Sequence, residues 1–321
     1  MQKKVVLMAL MAAVVLSFVI AQQMKKPTTT AKYTIGILQT ASHPALDAVF
    51  EGFVEELKNR LGSEVGFVVK NIQGSIFQAH AVAQQFHANR QMQLIFAIAT
   101  PAVQAVSAVE KQKSIVIAAV TDPNALEVVY PTTNVCGVTD AINVAAEIDM
   151  MVQLVPSVKT IGLMYASGET NSLVMVKKMR QELEARGLLV TDFAISNESD
   201  VQVVMELACR RVDVILAPTD NMIASTISLT SAVALKYKKP FIVSDNMLVK
   251  FGPLAARGVD YRASGKQAAL VAYQVLVEGK KTYELPIEQA NGKEIFVNQT
   301  TLDVLGLLLP ATLRDDVILV S

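Results

Sequence analysis

Leu94-Ile95-Phe96-Ala97-Ile98-Ala99-Thr100-Pro101-Ala102 is a short apolar run that ends abruptly in a hydroxyl and a proline. Ile115-Val116-Ile117-Ala118-Ala119-Val120-Thr121-Asp122-Pro123 repeats the pattern soon after. Runs of this length without polar alternation suit strands of a parallel sheet covered on both faces. Thr100 reads as a helix N-cap and Pro101 as the first helical position. The polar group therefore falls at the carboxyl end of a buried strand, where open α/β sheets bind ligands. The pattern recurs later, as residues 212–217 followed by Pro218-Thr219-Asp220-Asn221, and as Phe241-Ile242-Val243 followed by Ser244-Asp245-Asn246.

Outward from these runs, strand-like and helix-like segments alternate. Leu46, Val49, Phe50, Phe53, Val54, Leu57 and Leu61 recur at helical spacing after a first strand over 33–38. Alternation of this kind predicts right-handed crossovers and parallel sheets. The series restarts near residue 138, so the fold class read here is α/β, two Rossmann-like lobes with parallel sheets. Residues 33–137 and 260–284 make the N-terminal lobe, and residues 138–259 and 285–321 the C-terminal lobe. A chain that crosses between lobes several times forms a multi-strand hinge, suited to closure around a ligand.

The balance of 29 Lys+Arg against 29 Asp+Glu leaves no basic block and argues against nucleic acid as partner. Lys3-Lys4 precede an apolar stretch from Val5 to Ile20, with Val19 and Ala21 at cleavage-site spacing. Residues 1–21 therefore read as a cleavable signal peptide, with an uncleaved single-pass anchor as the alternative. Residues 22–32 are polar and proline-bearing, a spacer before the folded part. Cys136 and Cys209, the two cysteines, read as small buried thiols. No dinucleotide, phosphate-loop, nucleophile-elbow or zinc-protease motif occurs, so no cofactor, metal or catalytic residue is expected.

Several strings then carry a resemblance. They are Gln39-Thr-Ala-Ser-His43-Pro44-Ala45-Leu46-Asp47, Phe96-Ala-Ile-Ala-Thr100-Pro101-Ala102, Ala119-Val-Thr121-Asp122-Pro123, Gly137-Val-Thr-Asp140, Pro218-Thr219-Asp220-Asn221 and Gly258-Val-Asp260-Tyr261. In this order, over about residues 33–310, they resemble the substrate-binding proteins of ABC importers, in the tryptophan/tyrosine-type branch with the type I periplasmic binding protein fold. The resemblance implies a small-molecule ligand, an aromatic or other amino acid, delivered to a membrane permease and its ATPase. It implies a periplasmic protein that meets the membrane through the permease. The sequence departs from the family in two ways. It lacks the lipoprotein cysteine common in Gram-positive relatives, and its first loop has Thr40-Ala41-Ser42 where relatives often carry a bulky or acidic residue.

The local chemistry suits a zwitterion. Thr100, Pro101 and the first N–H groups of their helix make an anion seat for an α-carboxylate, with Thr121 as a second hydroxyl. Asp220 or Asp245, in the other lobe, can receive an α-ammonium, although both also read as N-caps. Asn221 and Asn246 offer amides, Gln39, Ser42 and His43 line the first loop, and Asn171 and Ser172 follow a strand end. Asp122 reads equally as a turn former, and Asp260 with Tyr261 as hinge residues. Two further readings share the fold: a sensor signalling to a membrane receptor, and a binder of some other small solute.

Overall fold

The computed structural model describes residues 31–123, 134–290, 294–315 and 317–321, and the segment read as a signal peptide lies outside them. Strand β1 (Tyr33–Gln39) leads into helix α1 (Pro44–Leu61), followed by β2 (Val65–Asn71), α2 (Ile76–Ala88), β3 (Leu94–Ile98), α3 (Thr100–Val109), β4 (Ser114–Val120) and β5 (Val135–Thr139). The apolar runs over 94–98 and 115–120 are β3 and β4, and every residue of β3 is buried. Alternation decides which helices cover them. Phe96, Ile98 and Val116 face α1, where Phe53 stacks on Phe96 at 3.7 Å between ring centres. Ile95, Ala97 and Ile117 face α2 and α3 on the opposite side.

The second half repeats the plan with α4 (Val144–Leu154), β6 (Thr160–Ala166), α5 (Thr170–Ala185), β7 (Leu189–Ile195), α6 (Val201–Arg211) and β8 (Val214–Ala217). Helices α7 (Asn221–Ser225) and α8 (Ile227–Lys236) follow, then β9 (Phe241–Val243) and β10 (Ala255–Arg257). The sequence predicts one helix over 222–237, but Thr226 leaves helical geometry (φ −107°, ψ 15°) and separates α7 from α8. Helix α9 (Tyr261–Leu276) and β11 (Ile287–Gln289) return to the first half. The chain finishes in the second, with β12 (Ile295–Asn298), α10 (Gln299–Leu305) and β13 (Val317–Val320).

One sheet runs β11-β5-β4-β3-β1-β2 and the other β13-β12-β10-β9-β8-β6-β7. The pairings are parallel except β10 with β12, which are antiparallel. Each order reverses direction at one place, between β1 and β3 in the first sheet and between β6 and β8 in the second. Such switch points leave a crevice at the strand ends. Here the two crevices face each other, since His43 after β1 meets Asn221 after β8 at 3.3 Å.

The lobe boundaries differ from those read in the sequence. Val135–Thr139 pairs with β4 in the first sheet, so the expected break after residue 137 falls inside β5. Residues 287–289, expected in the second lobe, align with Gly137, Val138 and Thr139 and extend the first sheet. A three-residue strand has no hydrophobic period of its own to reveal its partner. The chain passes between sheets after Thr139, after Arg257 and after Ala290.

Helix α9 completes the first lobe by lying on α1 with almost no side chain between them. A Cβ added to Gly265 would sit 2.1 Å from the Val49 carbonyl oxygen, and one on Gly52 2.2 Å from that of Arg262. Only glycine permits this approach. Cys136 and Cys209 are both free and buried, and burial pushes their thiols up to about 12 and about 11, which keeps them unreactive. Among the described residues no helix is long and apolar enough to cross a membrane.

Candidate functional site

The cavity between the lobes is lined from the first lobe by His43, Ala99, Thr100, Ala119 and Thr121. At the end of β3, Ala99 adopts φ 72° and ψ 159°, a region that glycine alone enters freely. Its N–H bonds the Ala118 carbonyl at 3.0 Å, which anchors the turn. Ala99, not Thr100, is the N-cap, and Thr100 and Pro101 are the first residues of α3. The capping hydroxyl comes from the neighbouring strand end. Thr40 Oγ1 donates to the Ile98 carbonyl at 2.9 Å and accepts the Ala102 N–H at 3.2 Å. Val103 N–H bonds the Ala99 carbonyl and proline has no N–H. The Thr100 N–H is thus left without a partner among the described residues, at the positive end of the helix.

A second strained alanine shapes the next strand end. Ala119 has φ 55°, and the β4–β5 register shifts between Ile117 and Val120, a bulge that turns Thr121 toward the cleft. Strain of this kind is held by the surrounding bonds and suits only the smallest side chains. Replacing Ala99 by Val is expected to destabilise the protein by about 2 kcal/mol or more, and Ala99→Gly to be near neutral. Urea unfolding of the two variants checks the difference.

Across the cavity, Asp220 N-caps α7, with Oδ1 accepting the Ile223 N–H at 2.9 Å. Its Oδ2 accepts the Ala166 N–H and the Ser172 hydroxyl, both at 2.6 Å. Asp220 lines the cavity, yet its carboxylate already ties β6, α5 and α7 together. Ser172 lies behind it, fully buried. Glu169, absent from the sequence candidates, accepts the backbone N–H groups of Asn221 and Met222 at 3.1 Å each. It also accepts the Nδ2 atoms of Asn221 (2.5 Å) and Asn171 (3.2 Å). Burial, reinforced by the charge of Asp220, pushes Glu169 up to about 7.

The hinge side of the cavity is acidic. Asp140, at the first crossing, accepts the Tyr261 hydroxyl at 3.0 Å through Oδ2. Its Oδ1 is buried with no hydrogen-bond partner among the described residues. Asp245 caps the turn after β9, with Oδ1 accepting the Met247 N–H at 2.9 Å. Burial raises both acids, and the charge of Asp140 adds to the rise in Asp245, to about 7. Behind them Glu147 accepts the Ser244 hydroxyl at 2.8 Å, and burial pushes it up to about 8. Among the described residues no lysine or arginine forms an ion pair with Asp140 or Asp245. Asp140 and Tyr261 line the cavity but are not among the sequence candidates, and Tyr261 reads there as a hinge residue.

Other candidates serve the structure around the cavity. Gln39 Nε2 donates to the Ala41 carbonyl at 2.8 Å and to Asp47 at 2.6 Å, and exposed Ser42 also donates to Asp47. Asp122 forms an ion pair with Lys178 of the opposite lobe at 2.6 Å, a bridge between lobes rather than a cavity residue. Thr121 meets Thr219 at 2.8 Å, and Gln104 donates to Thr170 at 3.1 Å, also across the cleft. Pro101 lines a separate groove beside the cavity, and buried Asn246 does not line the cavity. His43, Asn171, Asn221 and Asp245 do line it, with Thr100, Thr121 and Asp220. Among the described residues no group of three His, Cys, Asp or Glu is placed to hold a metal ion.

Residues 34–317 match the family model for ABC transporter substrate binding proteins. The chain belongs to this family. Among the relatives of this substrate-binding protein is a tyrosine-binding protein of Clostridioides difficile, 31% identical over 88% of this chain and 84% of the relative. An ABC domain from Streptococcus pneumoniae in complex with L-Trp is 29% identical, with TM-score 0.84 over 89% of this chain and 99% of that one. The two share the type I periplasmic binding protein fold. A ligand-free, open substrate-binding protein with adhesive properties from Clostridium difficile is 30% identical over 90% of this chain and 99% of that one, with TM-score 0.67. At nearly equal identity, the substrate-binding protein described here superposes better on the ligand complex than on the open form. Its bonds between lobes fit that difference.

Proposed function

We propose that this substrate-binding protein is an exported receptor that closes on an aromatic amino acid and delivers it to a membrane permease and its ATPase. The observation that carries the reading is the hinge pair, Asp140 with Asp245. Two buried carboxylates share one charge field, neither is ion-paired to a lysine or arginine among the described residues, and Asp140 Oδ1 lacks a hydrogen-bond partner there. An α-ammonium supplies both the countercharge and the missing donor. Charge-assisted hydrogen bonds of this type are the strong ones, and more so where closure excludes water. The Thr100 N–H and the α3 dipole then face the α-carboxylate. The names of the tyrosine-binding and L-Trp-complexed relatives support an aromatic side chain.

Two lobes joined by three crossings and bridged by Asp122–Lys178 support hinge closure as the binding motion. The apolar N-terminal stretch supports export, with the periplasm as the place of action and the permease as the contact with the membrane. Thermal-shift and calorimetric titration of the protein against the amino acids, nucleosides and small sugars tests the reading. We expect one aromatic amino acid bound per chain, unaltered after incubation, with stabilisation of about 4 kcal/mol at a thousand times Kd. Stabilisation by a sugar alone would overturn the amino-acid assignment.

A further inference from the structure

Away from the hinge, the cavity wall carries a chain of hydrogen bonds whose direction is fixed. Glu169 receives two backbone N–H groups, so its oxygens act as acceptors. The Asn221 Nδ2 donates to the same carboxylate, which turns the Asn221 Oδ1 toward His43 Nε2 at 3.3 Å. An amide oxygen there can only accept, so Nε2 carries the imidazole proton and Nδ1 presents a lone pair. Burial holds His43 down at about 4, which keeps the ring neutral at physiological pH. His43 Nδ1 has no hydrogen-bond partner among the described residues. Asn171 Oδ1 has none either, while its Nδ2 is committed to the Thr219 carbonyl at 2.8 Å. Both side chains are over nine-tenths buried and line the cavity. At this end the wall offers two unpaired acceptors.

We propose that His43 Nδ1 and Asn171 Oδ1 read a hydrogen-bond donor on the ligand's ring. The protein then selects aromatic amino acids with a ring N–H or O–H over those without one. The inference rests on the amino-acid reading above and deepens it. With the α-ammonium held at the hinge acids, the donor that meets His43 and Asn171 is assigned to the side chain. A ring without a donor leaves buried acceptors unpaired, and a site built around a ligand's N–H or O–H discriminates strongly against the analogue that lacks it.

Calorimetric titration of the full chain with two ligand pairs tests this. One pair is tryptophan and 3-benzothienylalanine, in which sulfur replaces the ring N–H, and the other is tyrosine and phenylalanine. In the wild type we expect the donor-bearing member of at least one pair to bind about tenfold tighter or more. In His43→Leu that ratio should fall to about threefold or less, because the Nδ1 lone pair is gone and Asn171 Oδ1 alone is left to satisfy. Equal affinity within both pairs in the wild type overturns the inference and leaves the amino-acid reading standing. An undiminished ratio in His43→Leu removes His43 from the recognition and overturns it likewise. If none of the four ligands binds, the amino-acid reading falls and this inference with it. The wild-type pairs decide the matter even if the variant fails to fold.

Discussion

If the ligand is an amino acid as proposed, Asp140→Asn is expected to weaken its binding by about a hundredfold or more and to leave the unliganded protein as stable as the wild type, or more so. The asparagine oxygen still accepts the Tyr261 hydroxyl, so the crossing stays tied. What disappears is a buried charge that burial already disfavours and that raises its neighbour Asp245. In the unliganded protein that charge is a burden; with an ammonium in place it becomes the main attraction. Titration calorimetry and a thermal melt on one sample check both halves. Unchanged affinity, or a loss of affinity that merely follows unfolding, would remove Asp140 from the site. Asp220→Asn is expected to behave differently. Its carboxylate holds Ala166, Ser172 and Ile223, so the melt should fall even without ligand.

The second large effect is with pH, and affinity and stability run in opposite directions. Asp245 sits at about 7 and Glu147 at about 8, above their ordinary range near 4, because burial penalises their charged forms. The folded state therefore holds protons that the unfolded state has released. Their contribution to stability is fully present below about pH 4 and is lost as pH rises through 7 and 8. His43, held at about 4, acts in reverse and weakens the fold as pH drops below about 6.5. The window from pH 6.5 to 8.5 thus isolates the acids, and the melting temperature of unliganded protein should fall across it. Binding an ammonium needs the carboxylates ionised. Affinity should therefore drop about tenfold for each unit of pH below 7. A dissociation constant that stays flat from pH 5 to 8 would exclude Asp245 as an ammonium partner.

The polar residue after each buried strand is legible from the primary structure. An unbroken apolar run has to be covered on both faces, and its polar successor has to lie at a sheet edge. That reasoning places Thr100, Thr121, Asp220 and Asp245 around one cavity, where they lie. It cannot assign their partners. Asp220 is occupied because β6 and β8 are neighbours, which brings the Ala166 N–H and the Ser172 hydroxyl onto one carboxylate. Asp140 ends the string Gly137-Val138-Thr139-Asp140, yet its place on the cavity depends on a crossing strand that pairs with β4. The positive φ angles of Ala99 and Ala119 leave no mark in the sequence, since glycine is the residue that advertises such turns. Glu169 reads as an ordinary helix-start acid, and only the fold brings α7 onto it.

The close approaches of Gly52 to Arg262 and of Gly265 to Val49 bear on how the molecule comes into being. Two hundred residues of chain separate the partners of that joint, so the first lobe has no finished core while synthesis is still passing through the second. Contacts so distant along the chain form late and slowly. The N-terminal half therefore emerges as a partner waiting for α9, with the flank of α1 uncovered until residues 261–276 arrive.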